Sequence, residues 1–206
     1  MTRLLLLAAP HLRSLALIVS SPFQSTALIS RLFRTSFPNM IDLTISGFYP
    51  FPSSAGKFPK LKSLHLNGNT NPVGLFQTNC LTKSCPSLRS LYISGLQVAG
   101  PFAMELHEAL KGRDNVENER DVDTHDLPPV ELPKSIQRIV VQAGIPGDGV
   151  TPSAALARLK HKVMMERLGE VESSSIPNVG GVLFAVRKSG DVGPSDIYRS
   201  WIENIG

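Results

Sequence analysis

Cysteine is nearly missing from this chain: its 206 residues hold two, Cys80 and Cys85. Two thiols five positions apart cannot supply the disulfide framework of a small secreted domain, and they read more simply as small apolar residues than as a metal or redox pair. No asparagine is followed two places later by serine or threonine, which speaks against a glycosylated extracellular receptor. No apolar run approaches the ~18 to 20 residues of a membrane span. A cytoplasmic or nuclear location away from membranes is the expectation.

Catalytic signals are equally sparse. His11, His65, His107, His125 and His161 make no H-E-x-x-H or comparable close pair. Asp121, Asp123, His125 and Asp126 lack the glycine and terminal glutamate of a calcium loop, so they read as part of an acidic linker. The segment Gly144-Ile-Pro-Gly147-Asp-Gly149 resembles a phosphate-cradling loop only in glycine content, because Pro146 removes an N–H that such a loop would use. No cofactor and no metal are expected.

What the chain does have is a repeated phrase. Leu61-x-x-Leu64-x-Leu66-x-x-Asn69 returns in degraded form from Leu12 (Leu15, Leu17), Met40 (Leu43, Ile45), Leu88 (Leu91, Ile93) and Ile136 (Ile139, Val141). Apolar residues at i, i+3 and i+5 end in the alternation of a short strand. Pro10, Pro38, Pro59 and Pro86 each stand two places ahead of the first apolar position, where a helix must stop. Gly47, Gly68 and Gly95 stand two places after the third, where the chain must turn out of a sheet and a positive φ fits. The fifth copy is looser, with Pro133 one place earlier and Gly144 one place later. Coordinated positions at this period are the mark of a leucine-rich-repeat solenoid, one strand per turn.

Between strands the period changes. Leu28, Ile29, Leu32 and Phe33 follow Pro22 as one helix face; Leu75, Phe76, Cys80 and Leu81 repeat that pattern less regularly; Pro101 opens a third helix through Phe102, Leu106, Ala109 and Leu110 that stops near Gly112. The unit between Met40 and Leu61, with Pro50, Pro52 and Gly56, is too short for a helix and predicts an irregular return. Residues 105 to 131 hold nine acids against three bases, and around 113 to 131 this predicts a flexible acidic insertion. Beyond the fifth strand, Ala154 to Leu168 predicts a helix with Leu156, Leu159, Val163 and Leu168 near one side, Gly181 to Val186 a last strand, and Pro194 to Ile202 a short closing helix. The expected organisation is a repeat array over 1 to 150 and an α/β cap over 151 to 206 that covers the final apolar face. The fold expected is therefore α/β: a right-handed solenoid with a short parallel sheet and irregular repeats.

The opening of the chain fits this register. Arg3 followed by Leu4 to Ala9 imitates a signal peptide, but Pro10 ends the apolar run and Leu12 continues the repeat. Leu4 to Leu7 are expected to belong to the outer helix of a repeat whose earlier part lies outside this chain.

Phe58-Pro59-Lys60-Leu61-Lys62-Ser63-Leu64-His65-Leu66, Cys85-Pro86-Ser87-Leu88-Arg89-Ser90-Leu91-Tyr92-Ile93 and Leu132-Pro133-Lys134-Ser135-Ile136-Gln137-Arg138-Ile139 resemble the repeat region of fungal F-box and leucine-rich-repeat proteins. The resemblance covers about residues 4 to 145, and Ile197-Tyr198-Arg199-Ser200-Trp201 resembles the ending of many such chains. It implies a substrate receptor of a cullin-type ubiquitin ligase, in which an F-box module binds the Skp adaptor and the repeat concavity recruits a protein target. No F-box stands ahead of these repeats, so what carries over is target recruitment and not adaptor binding.

The function expected is non-enzymatic protein recognition, with a protein partner whose identity the residues do not give. Side chains alternate along a strand, so residues flanking the core leucines face the concavity. Thr44, His65, Tyr92 and Val140 should form a row across it, flanked by Asn67 and Ser94, with His65 and Tyr92 at the centre as a polar-tipped aromatic anchor. Two other classes stay open. Outside residues 105 to 131 the bases outnumber the acids by ten, which invites nucleic acid, although the bases are scattered and no aromatics are interleaved with them. The other is a small hydrolase or metal enzyme on an α/β sheet.

Overall fold

The computed structural model describes residues 2–19, 22–49, 55–77, 80–114, 130–147, 149–174, 182–187, 190 and 193–205. Six strands form one parallel sheet in chain order: β1 (Ser14–Ile18), β2 (Asp42–Ser46), β3 (Ser63–Asn67), β4 (Ser90–Leu96), β5 (Arg138–Ala143) and β6 (Leu183–Arg187). Among the described residues six helices accompany them: α1 (Thr2–Ala8), α2 (Pro22–Arg34), α3 (Cys80–Ser84), α4 (Gly100–Asp114), α5 (Pro152–Ser174) and α6 (Pro194–Ile205). The mixed α/β class, the parallel pairing and each expected strand are present. Among the described residues no helix is long and apolar enough to cross a membrane.

The register follows the repeated phrase position by position. Leu15, Leu43, Leu64, Leu91, Ile139 and Phe184 stand opposite one another through the whole sheet, and Leu17, Ile45, Leu66, Ile93, Val141 and Val186 form a second apolar row. Beneath them, Met40, Leu61, Leu88 and Ile136 are fully buried in the same core. The other wall comes from the helices: Ile29, Leu32 and Phe33 of α2, Leu81 of α3, Phe102 and Leu106 of α4, and Met164, Leu168 and Val171 of α5. Phe37 stacks on Phe58 at 5.5 Å between ring centres, which ties the pre-strand turns of neighbouring repeats together. The turns also hand hydrogen bonds along the sheet: Asn39 Nδ2 donates to Pro10 O, Ser87 Oγ to Pro59 O and Ser135 Oγ to Pro86 O.

Gly68 shows why the turn after β3 needs glycine. Its φ is +100°, and a Cβ there would lie 2.9 Å from the backbone of Gly47 in the neighbouring turn. Gly95 repeats the positive φ, at +81°, one strand on.

Three expectations need correction. The helix expected from Leu75 to Leu81 is only the five residues of α3. Pro72 and Gly74 (φ +89°) bend the chain instead, and Gln77 pairs with Val130 in an isolated antiparallel bridge. Leu75 and Phe76 are buried all the same, because Glu105 of α4 accepts the N–H groups of Gly74 and Phe76 at 2.6 Å each. The second correction is the buried side of α5. Leu156, Leu159 and Val163 are exposed, and the face against the core is His161, Met164, Leu168 and Val171. His161 Nδ1 donates to Gln97 O, and the Ala99 N–H points at Met164 Sδ, so α5 docks on the α4 side through polar contacts that its apolar spacing does not reveal. Third, the closing helix α6 packs against β1 and β2 rather than over the last strand, which α5 contacts. Of the acidic insertion expected around 113 to 131, residues 115 to 129 lie outside the described residues, as do Asp121, Asp123, His125 and Asp126.

Two substitutions measure this packing. Leu91→Ala removes a side chain with no solvent exposure and should cost about 2 to 5 kcal/mol of unfolding free energy in urea titration. Gly68→Ala should cost about 1 to 3 kcal/mol by the same measurement, from the positive φ and the contact with Gly47. An unchanged midpoint for either would overturn the assignment of core and turn.

Candidate functional site

Alternation sends the remaining strand residues to the face opposite the core. Register places Ala16, Thr44, His65, Tyr92, Val140 and Ala185 in one row across all six strands. The four central members are those expected from the sequence. Ser46, Asn67, Ser94 and Gln142 form the adjacent row on β2 to β5.

The polar members are joined by hydrogen bonds. Asn67 Nδ2 donates to Ser46 Oγ at 3.1 Å, and Ser94 Oγ donates to Asn67 Oδ1 at 3.0 Å. His65 Nε2 lies 2.9 Å from Ser94 Oγ. The serine hydroxyl has one proton, already given to Asn67, so Nε2 carries the hydrogen and donates to Ser94. This direction decides a chemical question. A serine 2.9 Å from a histidine has the spacing of a nucleophile and its base, yet here the histidine is the donor and Ser94 is fully buried. The pair works as a structural bridge between β3 and β4.

His65 is held neutral. Burial, reinforced by the charge of Arg187, pushes its pKa down to about 4. Its ring meets Tyr92 edge to face with centres 4.3 Å apart, and the Arg187 guanidinium stands 5.2 Å from the centre of the Tyr92 ring. Tyr92 is half-buried, and its hydroxyl donates to Gln142 Oε1. Burial raises the Tyr92 phenol while Arg187 opposes that rise. Arg187, on β6, was missed by sequence reasoning, because only the pairing of β5 with β6 brings it beside Tyr92.

The face is not open throughout. Ile197 of α6 is buried yet lies outside the hydrophobic core, and Trp201 Nε1 donates to Ser14 Oγ at 3.0 Å. Ser14 alternates with the core residue Leu15, so α6 rests on the face opposite α2 to α5. It occupies the β1 and β2 end and accounts for the burial of Thr44 and Ser46 there. Val140 is buried as well, which leaves Tyr92, Gln142, Ala185 and Arg187 as the accessible members of the β4 to β6 end. Cys85 is on the core side, and burial pushes its thiol up to about 12, the behaviour of an inert packing residue.

A pH dependence follows from His65. Its folded pKa, about 4, lies below its ordinary value of 6.5, so the unfolded chain takes up a proton over a range where the folded chain does not. The stability linked to His65 is complete above pH 6.5 and is lost as pH falls toward 4, by on the order of 3 kcal/mol over the whole span. Urea midpoints should fall between pH 7 and 5 in the native chain, and His65→Gln should flatten that slope. An equal slope in the variant would mean that another group is responsible.

Comparison of the chain with protein-family models, with curated proteins and with solved structures finds no match in any of the three, and the functional reading rests on the geometry of this face.

Proposed function

We propose that the chain is a right-handed leucine-rich-repeat solenoid whose function is non-enzymatic recognition of a protein partner on the face opposite the helices. The observation that carries this reading is the in-register row with Tyr92 at its accessible end, where a half-buried aromatic is fixed by His65, Gln142 and Arg187. A pre-ordered ring with a polar tip loses little entropy when a partner covers it. His65, Asn67 and Ser94 set the shape of the floor, while Tyr92 and Arg187 meet the partner. The resemblance to the repeat region of fungal F-box proteins extends the reading to target recruitment for a ubiquitin ligase; binding of the Skp adaptor is outside it.

Affinity capture from the source cell with the native chain as bait, repeated with Tyr92→Ala and Arg187→Ala, tests the proposal. Either substitution should weaken capture of the principal partner about tenfold. Circular dichroism and the unfolding midpoint should barely change. Capture that survives both changes but fails with Arg31→Glu on α2 would move the partner to the helical face.

A further inference from the structure

A second surface lies where the strands begin. The carbonyl of Arg13 accepts from the N–H groups of Ile41 and Asp42, that of Ile41 from Lys62 and Ser63, that of Lys62 from Arg89 and Ser90, and that of Arg89 from Gln137 and Arg138. These bonds align Arg13, Ile41, Lys62, Arg89 and Gln137 as one row. The first strand residues Ser14, Asp42, Ser63, Ser90 and Arg138 form the next. Within the two rows stand four bases, Arg13, Lys62, Arg89 and Arg138, all exposed, against one acid, Asp42. Burial raises the Asp42 carboxyl, and the charge of Lys62 beside it opposes that rise. Among the described residues Arg13, Arg89 and Arg138 have no acid against them. Lys60, just ahead of the rim, adds an ammonium held by Asn39 Oδ1 at 2.9 Å.

Like charges held side by side repel, and the ladder leaves them no freedom to separate along the rim. Neighbouring strands are ~4.8 Å apart, so the backbone positions that carry Lys62, Arg89 and Arg138 fall within ~10 Å across the sheet and the rim from β1 to β5 runs ~19 Å. An extended chain rises ~3.3 Å per residue, so about six residues span that length, with alternate side chains ~6.6 Å apart facing the bases. Ser63 and Ser90, in the next row, carry hydroxyls able to donate to a carboxylate. None of these rim residues is aromatic, so the stacking platform that single-stranded nucleic acid requires is missing from this edge.

We infer that the strand-entry rim formed by Arg13, Lys62, Arg89 and Arg138 binds an extended acidic segment of a partner protein. The inference builds on the recognition reading above, but it concerns a different edge of the sheet. Charge complementarity along the rim would steer the partner in and set its direction, and Tyr92 would anchor it farther along the strands.

Fluorescence anisotropy with a labelled decaglutamate peptide and the full chain tests this, with decauridylate as the competing polyanion. The peptide should bind, and its affinity should fall with added salt. The double reversal Arg89→Glu with Arg138→Glu should weaken it about tenfold or more. Lys160→Glu on the exposed surface of α5 should change it by less than about twofold. The inference fails if the peptide does not bind, if the double reversal has no effect, or if Lys160→Glu weakens binding equally. Tighter binding of decauridylate would turn the rim into a nucleic-acid surface. Loss with Tyr92→Ala alone would place the anion beside Arg187, overturning the rim while leaving the recognition face intact.

Discussion

Everything in this molecule depends on the parallel ladder holding identical apolar positions in register. A strand of five residues has too little surface to bury by itself, and its leucines are covered only because neighbouring leucines stand directly opposite and the helices close over both. Because side chains alternate with period two, a slip of one residue would move Leu64 and Leu66 to the outer face and His65 into the core. The prolines and glycines at the strand ends guard against that slip. Gly68 and Gly47 approach so closely that a Cβ on Gly68 would lie 2.9 Å from the Gly47 backbone, so the turn keeps its place only with glycine there.

The same register that builds the core also builds the opposite face. Serine and asparagine side chains on adjacent strands fall within hydrogen-bond reach of one another, and the His65–Ser94–Asn67–Ser46 chain joins β2, β3 and β4 by side chains in addition to the backbone. Each hydroxyl or amide in it has a partner, which is what allows groups with almost no solvent contact to remain there at acceptable cost. The network fixes the tautomer of His65, and the histidine ring in turn fixes the edge of Tyr92.

Two further contacts connect distant parts of the chain. Glu105 on α4 satisfies the N–H groups of a turn about thirty residues earlier, and burial raises its pKa despite the donors that favour its charge. Trp201 reaches Ser14 across almost the full length of the sequence. Through that contact the last helix lies on the first two strands and narrows the free face to the region around Tyr92.

The sequence by itself determined the strands, their spacing and which residue of each turns inward, because a repeated phrase states those facts five times over and a sheet with one apolar row has a single register that buries it. It also placed Thr44, His65, Tyr92 and Val140 in one row, since alternation requires nothing beyond local geometry. Tertiary structure decided the rest. Leu75 and Phe76 have the spacing of a helix but lie in a turn, because a carboxylate from α4 satisfies the backbone groups that a helix would have satisfied. The buried side of α5 includes a histidine and a methionine rather than Leu156, Leu159 and Val163, because Gln97 and Ala99 offered it polar partners. Arg187 and Trp201 carry no local mark of their roles. Their partners, Tyr92 and Ser14, are 95 and 187 residues away, and only closure of the sheet brings them within reach.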